Sequence, residues 1–391
     1  MTPMKIEHHD LAAQNLSPPE VLQNIFSYIA AYQPTLHACT LVSNSWYKSS
    51  IAFLYHSPAI DGRNFDKFVE AICPSVNAHI RINGLATLVR KLDMSLLVHN
   101  GSKSLTARIL GRVKEDLEEF VAPQASFAVN CLAALSKCHK LRRLNLSFVS
   151  ESIAMSDLLR SMSTLSKLEI LHLPRSSAHN TSIDALIYGW PSGLRELHIS
   201  GGLRDESALS LSALPSSLTH LSISNCPHLS MLSIRPLVKL LGPQLQYLEI
   251  VAPLPNLNLG HGVLTNVMDL APNLHHLKIS MDFLGVAFFS SGDSGQSEYH
   301  FLKQLDLDCF EPADCISFHP NFIADMIVGS EGKFSKLRKL GVHKKLGWTN
   351  TGIYILGIRE IDAFLKALAR EDGDDAEITE DDAGVVFFGT P

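Results

Sequence analysis

One arrangement of apolar and polar positions, L-x-x-L-x-[LIV], recurs along most of the chain. It reads LRRLNL from Leu141, LEILHL from Leu168, LRELHI from Leu194 and LTHLSI from Leu218. It continues as LQYLEI from Leu245, LHHLKI from Leu274, LKQLDL from Leu302 and LRKLGV from Leu337. The starts lie 27, 26, 24, 27, 29, 28 and 35 residues apart, and a weaker copy, VRKLDM, begins at Val89, 52 residues before Leu141. The last three pattern positions alternate apolar, polar, apolar, as a strand buried on one face does. Between copies, SDLLRSMSTLSK from Ser156, IRPLVKLLGPQ from Ile234 and HGVLTNVMDLAPN from His261 read as short helices that close before the next strand. One such unit cannot bury its own leucines; neighbours must cover them. Each Leu or Ile so covered contributes about 1.5–3 kcal/mol relative to exposure.

Eight strong copies at this period indicate leucine-rich repeats. The expected fold class is α/β: a solenoid over 61–370 with parallel strands on a concave face and helices outside, preceded by a small all-α region of three short helices over 16–60. Residues 1–15 read as a disordered arm and 371–391 as an acidic, solvated tail, EDGDDAEITEDD being its densest stretch. The last apolar letters, GVVFFGTP, either stay free or fold back over the end of the stack. The repeat period asks for a strand near residue 115. VKEDLEEFVA instead places Val113, Leu117, Phe120 and Val121 on one helical face, which reads as a helical insertion near 100–137 or a degenerate repeat. Asn225-Cys226 matches the turn of the cysteine-type repeat, and Cys226 reads as a buried structural thiol.

The front of the chain follows a different period. In LSPPEVLQNIFSYI, Ser17 is placed to cap a helix with Glu20 closing the box. Pro18 and Pro19 then fall on the first two helical positions, where no intrahelical N–H bond is lost. Val21, Leu22, Ile25, Phe26 and Ile29 form a helical stripe that Tyr28 widens. Leu36, Cys39, Leu41 and Val42, then Trp46, Tyr47, Ile51, Phe53, Leu54 and Tyr55, supply two more short elements. A module of about forty residues is marginal alone. Its apolar surface is either the first layer of the larger core or a surface for a partner.

The residues Pro19-Glu20-Val21-Leu22, Ile25-Phe26 and Leu41-Val42-Ser43-Asn44-Ser45-Trp46 resemble an F-box in order and spacing. Ser17-Pro18 lengthens the start relative to the family pattern. The likeness covers about one tenth of the chain. It implies docking on the Skp adaptor of an SCF-type ubiquitin ligase and, through it, on a cullin–RING ligase. Carried over by position, Leu16, Pro19, Ile25, Phe26, Leu41, Val42 and Trp46 contribute to that docking. Trp46 has the weakest claim to exposure, because an indole body usually sits in a core.

Composition narrows the alternatives. The 391 residues are 46% hydrophobic and 18% charged with net charge −6, so no basic field points to nucleic acid. Seven cysteines without a CxxC pair do not suggest a disulfide framework or a zinc site. MTPMKIEHHD lacks the apolar stretch of a signal peptide, and no apolar run reaches membrane-spanning length. The expected location is the cytoplasm, the nucleus or both. Gly292-Asp293-Ser294-Gly295 has the letters of a serine-protease nucleophile segment but no matching histidine motif, and reads as a loop. His8-His9-Asp10 and His275-His276 do not make a metal site, since adjacent strand residues point to opposite faces. No cofactor, metal or catalytic residue is expected.

The third, fifth and seventh pattern positions face away from the leucines, toward the concave side. Arg143, His172, His198, His220, Tyr247, Glu249, His276, Lys278, Asp306 and Asp308 lie there, with Glu196 among them. This surface is either an ordinary solvated strand face or the docking face for a protein substrate. A weaker expectation is that binding varies between about pH 5 and 7 through histidine charge. The favoured function is substrate recognition for a ubiquitin ligase. The rivals are a non-catalytic repeat scaffold and, at a distance, a hydrolase using Ser294.

Overall fold

The computed structural model of the chain describes residues 18–74, 84–98, 101–175, 188–201, 204–205, 211, 213–251, 264–289, 301–309, 319–328, 334–349, 352–372 and 378–389. The expected N-terminal arm, Leu16, Ser17 and the Gly292–Gly295 loop lie outside these residues.

Three helices open the described chain: α1 (Pro19–Tyr28), α2 (Gln33–Thr40) and α3 (Asn44–His56). Pro18 is the N-cap of α1 and Pro19 its first helical residue, one position later than the sequence reading placed the start. The Ser43 hydroxyl accepts from the Trp46 backbone N–H at 3.3 Å and so caps α3. Leu22, Phe26, Leu36 and Cys39 form a small core of their own, with Ile29, Trp46, Phe53 and Leu54 packed on it. Phe26 meets the edge of Trp46 at a ring separation of 5.5 Å.

Helix α3 carries the chain into the repeats. Tyr55 stacks on Phe68 of α4 (Phe65–Ile72) at 6.5 Å, and the Arg90 N–H donates to the His56 carbonyl at 3.0 Å. Eleven parallel strands follow in a single sheet whose order is the order of the sequence. They are β1 (Lys91–Asp93), β2 (Glu119–Val121), β3 (Arg143–Asn145), β4 (Ile170–His172), β5 (Glu196–Ser200) and β6 (His220–Ser224). Then come β7 (Tyr247–Val251), β8 (His276–Ser280), β9 (Gln304–Asp308), β10 (Lys339–His343) and β11 (Gly384–Phe388). The fold is the α/β leucine-rich-repeat solenoid that the pattern expects.

Register explains the pattern. The fourth position of each copy pairs with the fourth position of the next, giving a row Leu92, Phe120, Leu144, Leu171, Leu197, Leu221, Leu248, Leu277, Leu305, Leu340. Every member is buried, and the row runs through one continuous core. Parallel neighbours can only pair this way if each crossover returns to the same end of the sheet.

One alternative is settled and one expectation corrected here. Of the two readings of 100–137, helical insertion or degenerate repeat, the second holds: α5 (Lys103–Val113), then β2, then α6 (Val129–Leu135). The helix stops at Val113, and Phe120 enters the leucine row while Ala122 lies buried behind it. Phe and Ala at the fourth and sixth positions hid the motif. The tail expected over 371–391 also ends in structure. A helix runs Ile355–Asp372, and β11 then pairs with β10 along its whole length. Arg338, almost fully buried, donates to the Asp372 carboxylate at 2.6 Å and ties that helix to the last repeat. The Val385 N–H donates to Asp362 at 3.0 Å, fixing β11 against the same helix.

Ending the chain after Asp372 therefore bares the edge of β10. The expected result is a melting temperature lower by several degrees and concentration-dependent self-association, because an unpaired edge without proline or bulge templates further pairing. Differential scanning fluorimetry and size-exclusion chromatography check both.

Candidate partner-binding surfaces

The outer face of the three-helix head is apolar and open. Helix α1 carries two stripes one residue out of step. Leu22, Phe26 and Ile29 turn inward, while Val21, Ile25 and Tyr28 turn outward. Val21 and Ile25 are each 49% exposed, Leu41 is 73% and Val42 61%, and Tyr32 and Tyr47 extend the patch. The head core is complete without these side chains, and the solenoid core does not include them. The surface is thus not the first layer of the larger core.

This sorts the carried-over residues. Pro19, Ile25, Leu41 and Val42 are exposed and available to a partner. Phe26 is a correction: it is wholly buried, edge-on to Trp46 and Phe53, and holds the helices together. Trp46 is half-buried and belongs to the rim of that core. From sequence, Val21, Tyr28 and Tyr47 read as members of the apolar stripes and not as docking residues, and Tyr32 is not named. The signal for Val21 was present in the i, i+4 spacing to Ile25, which a single merged stripe conceals.

The concave face is the second surface. Across it runs a band of rings. His172 and His198 stack face to face at 4.0 Å, His220 stacks on Tyr247 at 5.7 Å, and Tyr247 meets the edge of His276 at 4.7 Å. Carboxylates lie beside the rings. Glu249 accepts from Lys278 at 2.7 Å and from the Ser222 hydroxyl at 2.6 Å. Asp306 meets His276 at 2.7 Å and accepts from the Gln304 amide at 3.0 Å. Gly341 sits where a Cβ would collide with the Asp306 carboxylate, so a side chain there would displace that carboxylate. Lys278 also lies 5.7 Å from the Phe388 ring of β11, a contact the sequence did not suggest. Arg143 stands apart at the β3 end, half-exposed, with Glu119 4.0 Å away. Asp308 is turned inward, its carboxylate accepting from the Cys309 N–H at 2.8 Å, which removes it from the accessible face.

Burial sets the charge of this band. Burial lowers His172 to about 4, reinforced by His198 and Arg143 nearby, and burial also lowers His198. His172 stays neutral from pH 5 to 7 and so does not supply the histidine switch expected there, while burial biases His198 toward its neutral form. Burial raises Glu249 and Asp306, but the bonds from Lys278 and Ser222, and from His276 and Gln304, outweigh it and leave both lowered. They remain anionic.

The His172 shift has a sign that can be measured. An unfolded imidazole takes its proton near pH 6.5. The folded one does so only near 4. Between these values the unfolded chain binds more protons, so stability falls as pH drops from about 6.5 to about 4 and the loss then levels off. Denaturant titrations at pH 7 and 4.5 should show a smaller acid loss in His172→Gln than in the parent.

His275 and His276 point to opposite faces as expected: His276 reaches Asp306, while His275 lies near Phe301. Cys226 is buried after Asn225, which holds a left-handed φ of 52°, and burial pushes its thiol up to about 11. Among the described residues no group of His, Cys, Asp and Glu is placed to hold a metal ion. No helix among them is long and apolar enough to cross a membrane.

A capped three-helix head with exposed apolar side chains, joined through α3 to a leucine-rich-repeat arc, resembles the order of an F-box followed by leucine-rich repeats. Known proteins agree. The chain is 32% identical to F-box protein YDR306C of Saccharomyces cerevisiae over 79% of its own length and 63% of that protein's. It is 28% identical to Protein pof5 of Schizosaccharomyces pombe over 85% of its length and 91% of that protein's. The chain thus spans less than two thirds of the first of these relatives. No family model matches. Among solved structures, the leucine-rich repeat-containing protein LegL7 from Legionella pneumophila aligns at a TM-score of 0.41, with 14% identity over 71% of this chain and 87% of that one. A TLR13–ssRNA13 complex aligns at 0.40, with 18% identity over 66% and 36%. At these scores neither carries an argument, and the repeat fold rests on the sheet itself.

Proposed function

We propose that the chain is the target-binding subunit of an SCF-type ubiquitin ligase, acting in the cytoplasm, the nucleus or both. The head docks on the Skp adaptor, and through it on the cullin–RING ligase; the concave face holds a protein target. The chain does no bond chemistry and uses no cofactor. It contributes proximity, turning the meeting of target lysine and charged conjugating enzyme into a local event.

One observation carries this reading. The head completes its own core and still presents Val21, Ile25, Leu41 and Val42 to solvent. Several large apolar side chains left exposed on one small module point to an interaction site. Proximity labelling with the parent chain and with a chain bearing Ile25→Asp and Leu41→Asp tests it. Proteins that accumulate on the chain only when adaptor docking is lost are its clients. A full chain that recovers no adaptor in any preparation is a scaffold instead.

A further inference from the structure

The concave face has a chemistry that narrows its target. This inference rests on the reading that the target docks there. From β4 to β9 the third, fifth and seventh pattern positions carry four carboxylates, Glu196, Glu249, Asp306 and the inward-turned Asp308, against one lysine, Lys278. Three of the four already have partners: Glu249 is held by Lys278 and Ser222, Asp306 by His276 and Gln304, and Asp308 by its own strand. Glu196 is different. Among the described residues its ion-pair contact is His198, 3.9 Å away, and its side chain is 35% exposed. By register it sits between Ile170 and His220, beside the ring band. The surface therefore offers an open carboxylate next to flat rings.

We propose that this surface takes an arginine-bearing basic segment of a protein target, with a guanidinium pairing to Glu196 and stacking on the imidazole–phenol band. The chemistry favours arginine over lysine. A guanidinium is planar, weakly hydrated and forked, so it lies on a ring face and donates two bonds to one carboxylate at once. An ammonium holds its water more strongly and gives no planar face. A phosphorylated or acidic target is disfavoured, because the band is anionic and its one lysine is committed to Glu249. Arg143 at the β3 edge limits the basic segment to the strands beyond it.

The test uses the full chain with its adaptor and three fluorescein-labelled 12-residue Gly/Ser peptides bearing three arginines, three lysines or three glutamines. Anisotropy at physiological salt should show the arginine peptide binding at least about tenfold tighter than the lysine peptide, with the glutamine peptide not saturating. Glu196→Gln should weaken the arginine peptide about tenfold or more, while Glu115→Gln, an exposed carboxylate away from the concave face, leaves it unchanged. His198→Phe keeps a ring face and should keep binding; His198→Ala should not. Glu196→Asp provides a variant that retains the charge if the amide proves unstable. Equal binding of the three peptides, or indifference to Glu196→Gln in a chain with parental melting behaviour, overturns the proposal. Client labelling separates the two levels. If labelling still needs Tyr247 while peptides ignore Glu196, the face docks a target of other chemistry and only this proposal falls. If labelling is also indifferent to concave substitutions, the docking reading falls with it.

Discussion

A chain carrying Ile25→Asp should fold as the parent does and lose the adaptor. Ile25 is half exposed and contributes nothing to the head core. Burying it on a partner is worth about 1.5–3 kcal/mol. An aspartate in its place forfeits that and adds the desolvation of a carboxylate, so affinity should fall by at least about 100-fold, or about 2.8 kcal/mol. The adjacent residue gives the contrast. Phe26→Asp puts a charge among Leu22, Leu36 and Trp46, and should unfold the head rather than merely undock it. Pull-down with purified adaptor, read beside circular dichroism, separates the two outcomes. Both variants losing the adaptor is uninformative alone; Ile25→Asp losing helicity, or keeping the adaptor, counts against the outward stripe.

Leu248→Asp should cost more than any surface change. Leu248 is fully buried and pairs by register with Leu221 on one side and Leu277 on the other. A carboxylate there has no partner, and the leucine volume is lost as well, so destabilisation should exceed about 4 kcal/mol. In a stack each repeat contacts only its neighbours, so the damage should centre on β6 to β8. Hydrogen exchange should show protection lost there first, with the head and β1 least changed. Uniform loss across the chain would mean that the arc unfolds as one block.

Much of this architecture is legible in the sequence for a physical reason. Each strand buries the fourth position of its copy, and leucine fills that position nearly every time, so the period survives in the letters. The strand β2 escaped because Phe120 fills the leucine slot and Ala122 the next. A phenylalanine is as good a filler as a leucine, but VKEDLEEF also satisfies a helical period. β11 was only half legible: GVVFF has strand composition, but nothing in it says that Asp362 will accept from Val385. The head was legible as a spacing and not as two faces. Which of Ile25 and Phe26 turns inward depends on where α2 and α3 pack. The concave pairings were the least accessible. The columns follow from the repeat, but His276 and Asp306 pair on a diagonal, one at a third position and one at a fifth. Diagonals depend on twist and rotamer, which no spacing encodes.

The strand order has a consequence for how the molecule comes into being. Among the described residues no strand waits for a partner made much later, since each pairs with the one just before it. Pairing can therefore advance as the chain leaves the ribosome, head first and arc after, with little loop closure at any step. The strand β11 is made after the other ten and pairs with β10 along its whole length. A message cut short upstream of it yields a nascent product that is almost entirely native yet carries an adhesive rim, a form that chaperones would meet as nearly finished protein.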